Sequence, residues 1–223
     1  MKTLHSILFL IFLLVNAEAG SLRFLAWDHE VASRKLLVRN GGKDHEIVDL
    51  HPDKRSEWVT GISSETETLL VTPQVLDAGK QPATLPLVIP PGIREPLVIL
   101  LPDRRKATGL AVFVVEDSAE GFQFGVTRFV NATTKAQTVR YGKNLLRLDK
   151  SWIPTDVMAG GQARNVGIQI ESGGVPSKIS YSGVWEYDPD TRKIAIIVPG
   201  TDSDAGVIAV KIISENRRSL TKL

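Results

Sequence analysis

Apolar positions along this chain come in short runs rich in Val, Ile and Leu, each closed by Gly, Pro, Asn or Asp. Runs of that length, regularly spaced and separated by turn residues, are the pattern of β-strands. They predict strands over residues 22–27, 34–39, 46–50, 68–72, 85–89, 97–101 and 110–116. Further strands are predicted over 122–131, 137–141, 145–148, 163–171, 179–186, 194–198 and 207–214. Residues 56–67 carry the weakest strand pattern, and beyond the N-terminal segment no dozen-residue window keeps a helical period. The eighteen glycines and twelve prolines suit turns better than helices. The expectation is an all-β chain.

The pattern also repeats. Leu97-Val98-Ile99-Leu100-Leu101-Pro102, a polar turn and Gly109-Leu110-Ala111-Val112 are echoed by Ile194-Ala195-Ile196-Ile197-Val198-Pro199, a polar turn and Gly206-Val207-Ile208-Ala209. Each copy reads as a strand–turn–strand hairpin. Arg23-Phe24-Leu25 is matched by Arg128-Phe129-Val130, and Val38-Arg39-Asn40-Gly41 by Val139-Arg140-Tyr141-Gly142. Leu50 and Trp58 find counterparts in Leu148 and Trp152 across a shorter segment. The echoes keep their order while the offsets drift, as when loops vary and strands do not. They predict two tandem antiparallel β-sandwich domains, immunoglobulin-like, over residues 21–117 and 122–215, meeting near Ser118 to Phe122. Residues 73–91 are extra in the first half. Pro73, Pro82, Pro86 and Pro90 mark that stretch as an edge strand, extended arm or surface loop.

Before these halves lies a segment of another kind. One Lys is followed by the nine-residue apolar run Ile7 to Val15 and then Asn16-Ala17-Glu18-Ala19-Gly20. That order is the pattern of a secretory signal peptide over residues 1–19, cleaved after Ala19. The run is short of the roughly 20 residues that span a bilayer. The chain has no cysteine, which removes disulfides, thiolate metal sites and lipid attachment at a cysteine. Export without disulfides points to the bacterial envelope, with a periplasmic or extracellular product and no membrane span in the mature protein. Residues 216–223 are polar and basic and read as a flexible tail.

Hydrophobic residues make up 43% of the chain and charged ones 23%, enough for a core without staples. Net charge is +2 with Lys and Arg scattered, which argues against a nucleic-acid partner. The densest polar cluster, Asp44 to Asp53, places His45, Asp49 and His51 on one face of a strand, a candidate metal set. Successive same-face residues there are about 7 Å apart, so one ion cannot readily reach both histidines. Asp188-Pro189-Asp190 and Asp202-Ser203-Asp204 offer oxygens of the kind calcium takes, and read more simply as turns. No G-x-S-x-G elbow is present, and Gly160-Gly161 and Gly173-Gly174 precede no helix that could cradle phosphate. Asn131-Ala132-Thr133 fits a glycosylation sequon, relevant only in a eukaryotic secretory route. No cofactor is implied. Trp58 and Trp152 read as core fillers, and Trp27 and Trp185 as partly exposed rings able to stack on a sugar or peptide.

The segments Leu22 to Asp28, Arg128 to Ala132 and Val184 to Asp190 resemble those of uncharacterised exported bacterial proteins with tandem β-sandwich domains. That resemblance implies the fold and supplies no catalytic residue. The function expected is a non-enzymatic binding or structural module of the envelope, with a protein or polysaccharide partner. The alternatives are a carbohydrate- or peptide-binding module using Trp27 or Trp185, and a hydrolase with an unmarked carboxylate pair.

Overall fold

In the computed structural model, residues 20–64, 66–73, 82–173, 178–200 and 208–220 are described. The segment read as a signal peptide, the Asp202–Asp204 stretch read as a turn, and the centre of the 73–91 stretch lie outside them. The first half contains β1 (Gly20–Ala26), α1 (His29–Ala32), β2 (Leu37–Asn40), β3 (Lys43–Glu46), β4 (Val59–Ile62), β5 (Thr68–Thr72), β6 (Ala83–Pro86), β7 (Pro96–Pro102) and β8 (Leu110–Glu116). The second contains β9 (Val126–Asn131), β10 (Gln137–Tyr141), β11 (Asn144–Leu148), β12 (Thr155–Met158), β13 (Arg164–Ser172), β14 (Lys178–Tyr187), β15 (Thr191–Pro199), β16 (Ile208–Asn216) and α2 (Arg217–Leu220).

Four four-stranded sheets result. Their orders are β4-β1-β7-β8 and β3-β2-β5-β6 in the first half, and β12-β9-β15-β16 and β11-β10-β13-β14 in the second. With β1 set against β9, and each later strand against its counterpart, the orders are the same. The registers agree as well. Arg23 pairs with Leu97 in the parallel β1–β7 ladder, and Arg128 with Ile194 in the parallel β9–β15 ladder. The two sequence echoes are therefore neighbouring strands in both halves. Among the described residues these two parallel pairs depart from an otherwise antiparallel sandwich. They also explain the unbroken apolar runs, because strands buried on both faces lose the in–out alternation.

The burial shows what the two faces meet. Phe24, Ala26, Val98 and Leu100 pack into the core of the first sandwich, whereas Leu25, Leu97 and Ile99 point the other way. Phe129, Ala195 and Ile197 fill the second core, whereas Val130, Ile194 and Ile196 join Leu25, Leu97 and Ile99 in a third cluster. The two inner sheets thus pack on each other, and the molecule is four sheets deep.

Several expectations need correction. The 46–50 strand is a turn: Val48 is exposed, Asp49 has φ 59°, and the strand beside β2 is the polar Lys43–Glu46 instead. A chain that reverses there cannot continue the ladder. The 122–131 strand begins only at Val126, because Gly125 sits at φ 81°. β12 has no apolar run and no predicted strand, yet it pairs with β9 from Thr155–Phe129 to Met158–Val126. Asp28 caps the short α1, accepting from the Val31 N–H at 2.8 Å. The basic tail is docked at its start, where the Arg217 N–H donates to the Asp190 carbonyl at 2.8 Å and its guanidinium lies 4.9 Å from the Phe124 ring.

Candidate functional site

The residues singled out as sites do not gather. Trp185 is 7% exposed, a correction to its reading as an open ring. On β14 it faces inward, stacks on Phe129 at 5.8 Å, and donates its indole N–H to the Tyr181 hydroxyl at 3.0 Å. Trp27 is half-buried in the cluster between the halves, with Lys211 Nζ 5.6 Å from its ring. Burial lowers the Lys211 pKa, against the charges of Asp53 and Asp28. Trp58, expected in the core, is the more open ring at 39% and carries the Arg23 guanidinium at 4.4 Å. Trp152 packs edge-on against Phe113 at 5.0 Å. Register separates these two: Leu22 pairs with Val59, which sets Trp58 beside Arg23, while Arg128 pairs with Asp156, not Trp152.

Asp49 and His51 are engaged elsewhere, and the buried Nε2 of His45 has no hydrogen-bond partner. Asp49 pairs with Lys54 at 2.6 Å, and the His51 ring meets His29 edge-on at 6.0 Å while its Nδ1 accepts from the Asp53 N–H. Among the described residues no group of three or more His, Asp or Glu side chains is placed to hold a metal. Asp188 closes its own turn, accepting from the Asp190 N–H and the Thr191 hydroxyl, and these bonds hold its carboxyl below the usual range. The sequon Asn131 is buried and donates to the carbonyls of Lys135, Leu148 and Asp149.

Two features without a motif stand out instead. The first is a buried ionic node between the halves. Asp117, following β8, accepts from Arg23 at 2.6 Å and from both Nε and Nη2 of Arg55 at 2.8 Å. Glu215 on β16 takes Arg23 at 2.9 Å and Arg192 Nε at 2.7 Å. Burial works to raise the Asp117 carboxyl, but hydrogen bonds from Arg55 and the charges of Arg55, Arg23 and Arg192 outweigh it and hold it below the usual range. Burial likewise works against the charge on Arg55, and Asp117 and Glu215 overcome it. Arg192 also donates to the carbonyls of Asp117, Ser118 and Phe122, and Arg128 to those of Glu116 and Gly121. The segment joining the halves is therefore gripped, and its Phe122 ring lies under both guanidiniums.

The second feature is a cleft of about 380 Å³ at one end of the first sandwich. Its floor is apolar, from Leu22, Ile62, Leu87, Ile89 and Ile93, and its rim carries the hydroxyls of Ser21, Ser64 and Thr66. Prolines open it. Pro86, Pro90 and Pro91 have no N–H to give the β5 ladder, so β6 ends at Pro86. One further bond, Leu87 N–H to the Thr68 carbonyl at 2.9 Å, precedes the departure. The segment then returns to β7, tied down where the Arg94 N–H donates to Glu116 at 2.7 Å. Burial works to raise Glu116, but N–H donors of Arg94, Ser118 and Glu95 hold it below the usual range.

The second half shows what is missing. Leu70 pairs with Leu85 and Ile170 with Tyr181, so Ile89 is the sequence counterpart of Trp185, but β6 has already ended before it. β13 and β14 continue together out to Arg164 and Tyr187, and the Tyr187 hydroxyl sits against Gly125. The inter-sheet core is thereby closed. What remains at that end is a polar groove of about 470 Å³ among Lys143, Asn144, Arg164 and Asn165. The apolar cleft and the ionic node were both missed from the sequence. The cluster of prolines over 82–96 was the available signal for the cleft, and the node had none, its five residues being scattered from 23 to 215.

No family model matches the chain, and no curated protein matches it.

Proposed function

We propose that this chain is an exported, non-enzymatic binding module of the bacterial envelope, and that its first sandwich holds an extended, apolar segment of a protein partner. The observation that carries this is the apolar cleft where β6 leaves its sheet. A concave, mainly apolar site of a few hundred Å³ with a few polar groups at its rim is the usual form of a binding pocket. Its position adds support. β4 and β6, on either side of the opening, are both edge strands, and an added strand could pair there while its side chains enter the cleft. The second sandwich, its equivalent end closed by Trp185 and Tyr187, serves on this reading as support.

Selection of peptides from a random display library against the protein tests the proposal. Extended peptides with apolar side chains should emerge, and Ile89→Asp should weaken them at least about tenfold, since it places a charge on an apolar floor. Leu145→Asp, on the exposed face of β11, should leave them unchanged. Peptides indifferent to Ile89→Asp, or no peptides at all, would rule the reading out.

A further inference from the structure

The opposite mouth of the first sandwich is built from different chemistry. There, between the start of β2, the end of β5, the start of β6 and the β7–β8 turn, lies a pocket of about 330 Å³. Arg34, Lys35, Lys106, Thr72, Thr108 and Gly109 line it. The β7–β8 turn that supplies Lys106 is held internally: Asp103 N–H donates to the Gly109 carbonyl at 2.9 Å, and Gly109 N–H to the Lys106 carbonyl at 2.8 Å. Arg34 is held too, donating to the Thr108 carbonyl at 3.3 Å and to Glu30 at 3.2 Å. Asp103 pairs with Arg105 at 2.9 Å. Lys35, Arg104 and Lys106 make no ion pair or side-chain hydrogen bond among the described residues.

Among the described residues, five cations thus share this end with two carboxylates, Glu30 and Asp103, although the whole chain carries only +2. Like charges brought together repel, and no packing requirement holds the exposed Lys35 and Lys106 at one pocket. The equivalent stretch of the second half reads Thr201-Asp202-Ser203-Asp204 where this one reads Arg104-Arg105-Lys106-Ala107. The basic mouth is therefore a property of one half and not of the repeated unit.

We propose that this pocket binds a phosphate group, with Arg34 as the fixed donor and Lys35 and Lys106 as mobile charges; the Thr72 and Thr108 hydroxyls, which donate to the Ala83 and Leu110 carbonyls, shape its wall. Arg presents a rigid fork to such an oxyanion, and Lys a point charge. The pocket exceeds what a bare ion needs, so the phosphate can be free or the head of a lipid. The site is separate from the apolar cleft and stands or falls without it.

The test uses the purified protein in two arms. In the first, inorganic phosphate is titrated at constant ionic strength while backbone amide resonances are followed. Saturable shifts at Lys35, Thr72, Lys106 and Gly109, absent with chloride, are expected. In the second, the protein is sedimented with vesicles of phosphatidylcholine alone or with phosphatidylglycerol added. The double variant Lys35→Ala/Lys106→Ala should weaken whichever arm responds by about 30-fold, two cations near an anionic surface being removed. The control Lys143→Ala/Arg147→Ala, on the second half, should not. Response in the phosphate arm alone identifies a free ligand, and response in the vesicle arm alone a lipid. No saturable response in either arm, or equal losses in both double variants, would overturn the proposal.

Discussion

After Pro86 the first sandwich lets its edge strand go, while the second keeps the equivalent strand for five more residues, through Tyr187. The strand orders of the two halves match, and so does the inner register, in which Arg23 pairs with Leu97 and Arg128 with Ile194. Three prolines on one side and two inward aromatic residues on the other turn one plan into an open cleft and a closed core. The strands specify the plan, and a few residues at the end of one edge strand specify what the end is for. The same logic holds beside β1 and β9, where the inner-sheet arginine meets the Trp58 ring in one half and the Asp156 carboxylate in the other.

The largest expected effect lies where the halves meet. Asp117→Ala leaves Arg23, Arg55 and Arg192 short of a buried partner and should cost about 3–5 kcal/mol in chemical denaturation. Asp156→Ala, the pair confined to the second half, should cost about 1–2 kcal/mol, since Arg128 keeps its carbonyl partners. Equal losses would show that the node is no stronger than an ordinary pair. Because the folded Asp117 carboxyl lies below its unfolded value, its stabilisation is present above about pH 4 and is lost as the pH falls through the folded value. Wild-type stability should therefore drop below about pH 4 more steeply than that of Asp117→Ala.

The next comparison sets Trp185→Ala against Ile89→Ala. The first empties a closed core and should cost about 3–5 kcal/mol. The second trims the floor of an open cleft and should cost about 1 kcal/mol. A large loss at Ile89 would mean that the cleft wall supports the fold. The smallest effect concerns the two glycines that begin β1 and precede β9. Gly125→Ala meets the Tyr187 hydroxyl at 3.2 Å from a φ of 81° and should lower stability by about 1–2 kcal/mol. Gly20→Ala meets only the Ile62 carbonyl at 3.4 Å and should change stability by under about 0.5 kcal/mol.

The architecture was legible because strand signals are local. β5, β8 and β10 fall on their predicted residues, where an apolar run and its turn residues coincide. β3 and β12 were illegible because a strand at a sheet edge needs no apolar run: Lys43–Glu46 is wholly polar, and Thr155–Met158 buries only Val157. The stretch 46–50 shows the converse, an apolar alternation spent on a turn. Burial of single tryptophans was the least legible feature. Trp185 and Trp58 exchange their expected roles because β14 runs on past the core and β4 begins at its rim. That difference is set by neighbouring strands and not by the residues around each ring.

The gripped segment from Asp117 to Phe122 has a consequence for how the chain reaches this state. β1 has no parallel partner until β7 has been made, β9 none until β15, and the node lacks Glu215 until the last strand is present. Pairings so distant in sequence slow folding. The inner sheets also share one apolar cluster, so neither half completes its burial alone. The molecule should accordingly unfold in a single cooperative step, and a nascent chain short of β16 should remain loose. On the export route proposed above, that delay would keep the chain threadable until β16 has emerged.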